Sequence, residues 1–307
     1  MSREDLYPEI PIELGYASED LSNAELNTKD TRTFNTPSRA SITHHMAANN
    51  SSPLLVPIGS NFWNIRGDFK IVKLLNVGTH MSVARLSTGK FLIIDGAPTL
   101  NNPTLVKELN ELTSNGENIE AIIHTHPFHT GSIVTLSNLY PNAAVYGCPR
   151  HLKMFPDLKW TGDLSEPTNL ARWQPEVDLR IPTGTEFFAP SEHNHFSTIW
   201  AYHRDSKTIH VDDTLGYAQT VRFPLSMFLS PGLSFHPMLS RGGIQPRAEA
   251  PNEFKTFIQT VMQDWDFDNI ATAHMGVMIG NGKRELAALL ERTQGELDRL
   301  TKKFSKK

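Results

Sequence analysis

Cys148 is the only cysteine in this chain of 307 residues, so no disulfide can close within it and no thiolate-rich metal site can be assembled from it. Any cation it binds must be met by nitrogen and oxygen. Long hydrophobic runs are also missing: no stretch reaches the roughly 18 apolar residues of a membrane span. The start, Met1-Ser2-Arg3-Glu4-Asp5, is charged where a signal peptide is apolar. Both absences point to a cytoplasmic protein with no membrane partner. Neither sign of charge dominates, since 29 basic and 33 acidic residues are interspersed. Without the basic stripe that a phosphate backbone demands, no nucleic-acid partner is expected. No internal repeat or interdomain linker is visible, which favours one domain with appendages.

Residues 1–60 are rich in Ser, Asn, Thr and Pro and lack a sustained apolar period, so they read as a poorly ordered leader. The span 61–282 carries the domain. Phe69 to Leu75, Met81 to Leu86 and Phe91 to Ile94 are short apolar runs broken by turn residues, the pattern of an antiparallel meander. Pro103 to Leu112 has Leu105, Val106, Leu109 and Leu112 at helical spacing, with Asn102 or Thr104 as cap and Gly116 near the stop. Ile119 to Ile123 then reads as a buried strand. Later, Phe196 to Tyr202 and Thr208 to Val211 form a hairpin pattern, Glu253 to Trp265 a helix and Ile270 to Ala273 a strand. Residues 283–307 place Leu286, Leu289, Leu290, Leu297, Leu300 and Phe304 on one stripe, predicting an amphipathic helix packed on the domain.

The most informative stretch is His124-Thr125-His126-Pro127-Phe128-His129, three imidazoles delivered at the carboxyl end of the buried strand. With 13 His in the chain, such a pattern arises from composition alone roughly once in fifty such sequences. Strand ends of layered α/β architectures are where sites are usually built. The bland alternative is a set of hydrogen-bonded structural histidines.

Four further stations accompany it. They are Leu92-Ile93-Ile94-Asp95-Gly96, Ser191-Glu192-His193-Asn194-His195, Ile209-His210-Val211-Asp212-Asp213 and Ala273-His274-Met275-Gly276. Together the five resemble the metallo-β-lactamase superfamily, and the resemblance covers about residues 62–282. It implies an α+β four-layer αββα sandwich with a metal site at one edge. His124-Thr125-His126-Pro127-Phe128-His129 resembles that superfamily's H-x-H-x-D-H motif, with Phe128 where the motif has aspartate. Carried over by position, the resemblance implies a first metal on His124, His126 and His193, with His195 as the competing candidate for the third place. Asp213 would bridge to a second metal on His129 and His274, and Asp95 would support the site from behind. Segments such as Phe62-Trp63-Asn64-Ile65-Arg66-Gly67 also resemble a branch of that superfamily whose metal motifs are often eroded.

Phenylalanine offers a cation no lone pair, so the second metal loses a ligand and the attacking water loses its orienting carboxylate. One or two zinc ions are expected. Zinc would support a hydrolase acting on an ester, thioester or amide-type small molecule, with Asp213 or Asp212 as proton acceptor. His129, His274 and Asp213 also make up two histidines and a carboxylate, the ligand set of non-haem iron oxygenases, so an iron oxidoreductase is the alternative. A non-catalytic binding protein that kept the fold is the third possibility.

Overall fold

The computed structural model describes residues 53–71, 75–188, 194–220 and 231–306. Most of the predicted leader (1–52), His193 and part of the loop after Asp213 (221–230) lie outside the described residues.

Strands β1 (Val56–Pro57), β2 (Phe62–Gly67), β5 (Thr79–Arg85), β6 (Phe91–Ile94), β7 (Ile119–Ile123), β8 (Ala144–Gly147) and β9 (Gly162–Asp163) form a 7-stranded sheet in that spatial order. The pairs from β1 to β6 are antiparallel and those from β6 to β9 parallel. Between β2 and β5, β3 (Lys70–Ile71) and β4 (Leu75–Asn76) make a small hairpin. A second sheet has 5 strands in the order β10 (Val177–Arg180), β11 (Trp200–His203), β12 (Thr208–Val211), β15 (Asn269–Thr272) and β16 (Val277–Met278). β13 (Leu215–Ala218) and β14 (Gly232–Phe235) pair by themselves. The helices are α1 (Pro103–Thr113), α2 (Ile133–Leu139), α3 (Pro149–Met154), α4 (Pro167–Leu170), α5 (Ala250–Asp264) and α6 (Gly282–Phe304).

Three buried clusters show how these elements stack. Leu92, Ile94, Ala121 and Ile123 meet Ile199, Ala201 and Ala271 between the two sheets. Ile93, Ile122, Met81 and Val83 face the other way, onto Leu105 and Leu109 of α1 and Leu136 of α2. Trp200, Tyr202, Ile209 and Ile270 face α5 and α6 through Phe254, Ile258, Leu286 and Leu290. The result is the expected four-layer αββα arrangement. Strands buried on both faces have no polar side to show, which is why β6 reads as an unbroken apolar run and β7 departs from one only at Glu120.

α1, α5 and α6 lie where their spacing predicts them. Asn102 caps α1 by accepting the Thr104 N–H at 2.9 Å, which satisfies one of the orphan donors of the first turn. Leu109 is fully buried, so Leu109→Ala should lower stability by about 2–5 kcal/mol, read as a shift of the urea midpoint. Metal content of that variant should stay unchanged, because α1 contributes nothing to the site.

Two sequence expectations are displaced. The first long strand is β2 rather than Phe69 to Leu75, because the Asn76 side chain accepts from the Phe69 and Gly78 N–H groups and turns that segment into a hairpin. The strand expected from Phe196 begins only at Trp200. Ahead of it the chain crosses toward the other sheet, where Ile199 N–H donates to Thr125 O at 3.1 Å. Residues 53–60, placed with the leader by composition, are folded: β1 pairs with β2, and the Leu54 and Leu55 N–H groups donate to the Glu108 carboxylate at 3.0 Å. No helix among the described residues is long and apolar enough to cross a membrane.

Candidate metal centre

The site forms at one end of the two sheets, where β7, β12 and β15 run out. β12 and β15 are parallel neighbours, with Val211 opposite Thr272, so Asp212-Asp213 and His274 leave them at the same edge. β7 delivers Thr125 and His126 from the facing sheet.

Asp213 stands at the centre and is 3% exposed. Around it lie His126 Nε2 at 3.3 Å, His129 Nε2 at 3.6 Å and His195 Nδ1 at 3.9 Å from Oδ2, and His274 Nε2 at 2.7 Å from Oδ1. His126 is buried, whereas His129, His195 and His274 are partly open to solvent. The group therefore has a closed floor and an accessible rim. Among the described residues, His126, His129 and Asp213 are the one trio whose ligand atoms all lie within 4.8 Å of one another.

Each partner is held from behind. His129 Nδ1 lies 2.6 Å from Asp212 Oδ2, and Asp212 is fully buried. His274 Nδ1 lies 2.7 Å from Gly78 O, and Phe69 stacks on the same ring with 6.2 Å between centroids. Arg66 reaches across from β2 and donates to Thr272 O at 2.5 Å and Ala273 O at 2.6 Å, the two carbonyls just ahead of His274. His126 Nδ1 accepts the Phe128 N–H at 3.2 Å, which leaves Nε2 facing Asp213.

Asp95 ties the floor together. It accepts from the Thr125 N–H at 2.7 Å and from the Thr125 hydroxyl, and its Oδ2 is 2.9 Å from His210 Nε2. His210 points between the sheets, where it stacks on His80 at 4.1 Å and meets Ser82 Oγ at 2.9 Å through Nδ1. One carboxylate thus links the strand that carries His126 to the strand that carries Asp213.

The electrostatics favour positive charge at the centre. Burial alone would push the Asp213 carboxyl up, but His274, His126 and His129 hold it well below the usual carboxylate range. Burial works against protonated His129, yet Asp212 and Asp213 overcome it and raise that imidazole to about 10. His274 is likewise raised by Asp213 against its burial. Burial and the neighbouring His126 drop His195 to about 4.

A cation fits this arrangement. Tetrahedral zinc with ligands at 2.0–2.1 Å spaces its donors roughly 3.3 Å apart, close to the gaps measured around Asp213. Asp213 Oδ1 is buried and has no hydrogen bond of proper geometry, although His274 Nε2 is near. A buried acceptor left this way is costly unless something positive meets it. The carboxylate-histidine contact at His129 is of the kind that orients metal-bound imidazoles.

His124 is not brought into the group. Its ring packs edge-on against His151 at 5.8 Å and Trp160 at 6.2 Å, and neither ring nitrogen has a partner. Strand parity explains this. Its backbone N–H still pairs with Tyr146 O, so His124 takes the face of Ile122, while Thr125 takes the face of Ile123 between the sheets. Gly147 makes room on the His124 face, where a Cβ would meet Trp160 at 2.6 Å and His151 at 3.0 Å.

Of the pair at the third station, His195 sits at the site and His193 lies outside the described residues. Asp212 stands behind His129 instead of facing the opening. Arg66, His80 and the role of His210 were not legible in the motifs. The His236 backbone N–H donates to Thr214 O at 3.3 Å, next to Asp213, and its Nδ1 accepts from the Met238 N–H at 3.2 Å.

Neither protein-family models nor curated proteins match this chain. Solved structures do. A metallo-β-lactamase from Erythrobacter litoralis, with beta mercaptoethanol in its active site, aligns at a TM-score of 0.52 and 12% identity over 77% of this chain and 95% of its own. VMB-1 aligns at 0.51 and 14% identity over 78% and 97%, and a metallo-β-lactamase from Hirschia baltica at 0.50 and 12% over 76% and 96%. At such identities the likeness is one of architecture: this chain has the metallo-β-lactamase fold.

Proposed function

We propose that this protein is a metal-dependent hydrolase that directs water against an ester, thioester or amide bond of a small molecule. His126, His129 and Asp213 are the cation ligands, with His274 on the other oxygen of Asp213 and His195 in reach. The supporting observation is a buried carboxylate ringed by imidazoles, one of its oxygens lacking a hydrogen bond. All donors are nitrogen and oxygen, which suits zinc; when bound, zinc lowers the pKa of water to roughly 7 and polarises a carbonyl.

The chain's own residues supply the rest. Asp212 fixes the His129 ring through Nδ1, and Gly78 O does the same for His274, so both present Nε2 to Asp213. Arg66 holds the backbone from which His274 hangs. Asp213 would also serve as the proton acceptor for the attacking water. Its surrounding imidazoles make it a weak base, and a weak base predicts modest turnover. Phe128 and His195, stacked at 4.4 Å, wall the open side.

The presentation of Nε2 by both His129 and His274 beside Asp213 also supports a second reading, a non-haem iron oxidoreductase. One experiment separates the two. Protein purified without added metal is analysed for zinc and iron and assayed on a panel of esters, thioesters and amides before and after chelation. Stoichiometric zinc and a chelator-sensitive hydrolysis restored by zinc are expected. Stoichiometric iron with oxygen consumption would favour the oxidoreductase, and a bound cation with no turnover on any substrate would favour a binding protein.

A further inference from the structure

We infer that Phe128 is a positioning residue: its ring holds the His195 imidazole beside Asp213, where His195 is a donor to the cation. The inference rests on the metal-dependent function above. It gives a task to the one position between His124 and His129 at which the chain departs from the H-x-H-x-D-H motif.

The four imidazoles around Asp213 are not held alike. His129 Nδ1 meets Asp212 at 2.6 Å, His274 Nδ1 meets Gly78 O at 2.7 Å, and His126 Nδ1 accepts the Phe128 N–H at 3.2 Å. The His195 ring makes no hydrogen bond of this kind among the described residues, and its Nδ1 stands 3.9 Å from Asp213 Oδ2, too far for one. Its ring contacts are stacks instead. Phe128 lies 4.4 Å away between centroids with 29° between planes, and His126 lies 6.0 Å away with 27°. Ring pairs near the shorter separation attract through dispersion and offset stacking.

The main chain at His195 is pinned on both sides. Asn194 Nδ2 donates to Gly242 O at 2.7 Å, and Asn194 Oδ1 accepts the Phe196 N–H at 3.3 Å. Phe196 is fully buried, and its carbonyl accepts the Thr214 hydroxyl at 2.7 Å. With the backbone fixed, the direction of the imidazole is left to two side-chain torsions, and 28% of the side chain is open to solvent. Phe128 restricts that choice by covering one face. Its own ring is placed in turn, since the Phe128 N–H is spent on His126 Nδ1 and the Arg150 guanidinium carbon lies 4.5 Å from the ring centroid. An aspartate at this position has no face to stack on. The departure from the motif thus trades a ligand oxygen for a ring that steers a nitrogen.

The test is a double-mutant cycle read by zinc affinity. Zn(II) dissociation constants are measured by chelator competition for the wild type, Phe128→Leu, His195→Ala and the double variant, and circular dichroism melting confirms that each is folded. Phe128→Leu should weaken zinc binding roughly three- to tenfold, the range that an aromatic stack supplies. His195→Ala should weaken it by a larger factor. In the double variant the Phe128 step should vanish, leaving the affinity of His195→Ala alone. Phe128→Tyr, which keeps the face, should bind zinc like the wild type. In metal-free protein the His195 ring protons should carry an upfield ring-current shift in the NMR spectrum that Phe128→Leu loses. Additive losses in the double variant, wild-type affinity in folded Phe128→Leu or His195→Ala, weakened binding by Phe128→Tyr, or absence of the ring-current shift overturns the positioning role while leaving the hydrolase intact. A wild-type protein that takes up no zinc removes the hydrolase and this inference together.

Discussion

Asp213→Asn should strip the cation and lower turnover by roughly three orders of magnitude. A bound cation stabilises a hydrolytic transition state by several kcal/mol, and each 1.4 kcal/mol or so is tenfold in rate. The amide keeps the volume of the buried side chain but replaces an anionic acceptor with a donor among three close Nε2 atoms. Asp212→Asn makes the informative contrast. Asp212 meets His129 at Nδ1, 2.6 Å away, and loss of such an orienting carboxylate typically weakens metal binding about 10–100-fold. Turnover of Asp212→Asn should therefore recover in excess zinc, whereas that of Asp213→Asn should not. Metal analysis and activity against added zinc read both. Full metal retention by folded Asp213→Asn would remove Asp213 from the centre.

The architecture was legible because its elements carry strong periodic signals. α1, α5 and α6 lie over the spans their apolar stripes mark, and the pairing of β11 with β12 follows the polar turn between them. Boundaries failed where a side chain competes with the backbone, as Asn76 does at the β3–β4 hairpin. The start of β11 failed because the chain there bonds to the opposite sheet, a contact that no local pattern encodes.

The site was legible as a list of residues more than as a geometry. Three of the station histidines, His126, His129 and His274, lie within 4 Å of the Asp213 carboxylate. His124 could not be separated from His126 in the sequence, because a strand buried on both faces shows no polar-apolar alternation to tell which face its last residue takes. The role of Arg66 was invisible for another reason. Its function is to bind two carbonyls some 206 and 207 positions away, and carbonyls belong to every residue. His210 stood inside a quoted station, yet only the pairing of β12 with β15 and the facing Asp95 give it a role.

Asp95→Asn is the second large effect expected, and it falls on stability. Asp95 is 1% exposed and accepts from Thr125 N, the Thr125 hydroxyl and His210 Nε2. An amide puts a donating NH2 where one of the two accepting oxygens stood, and breaking a buried charge network of this kind costs about 3–5 kcal/mol. The pH dependence gives the sharper test. Burial pushes the Asp95 carboxyl up, but the hydrogen bond and charge of His210, together with Thr125, outweigh it and leave the folded value far below the usual carboxylate range. A group depressed in this way contributes its stability above the unfolded value of about 3.9 and loses it as pH falls toward the folded value. The gap between wild type and Asp95→Asn, measured from urea midpoints, should thus be full from about pH 7 to pH 5 and narrow below about pH 4. A gap that stays constant into acid would mean that the Asp95 charge contributes nothing specific, and that Thr125 and His210 are held together by packing alone.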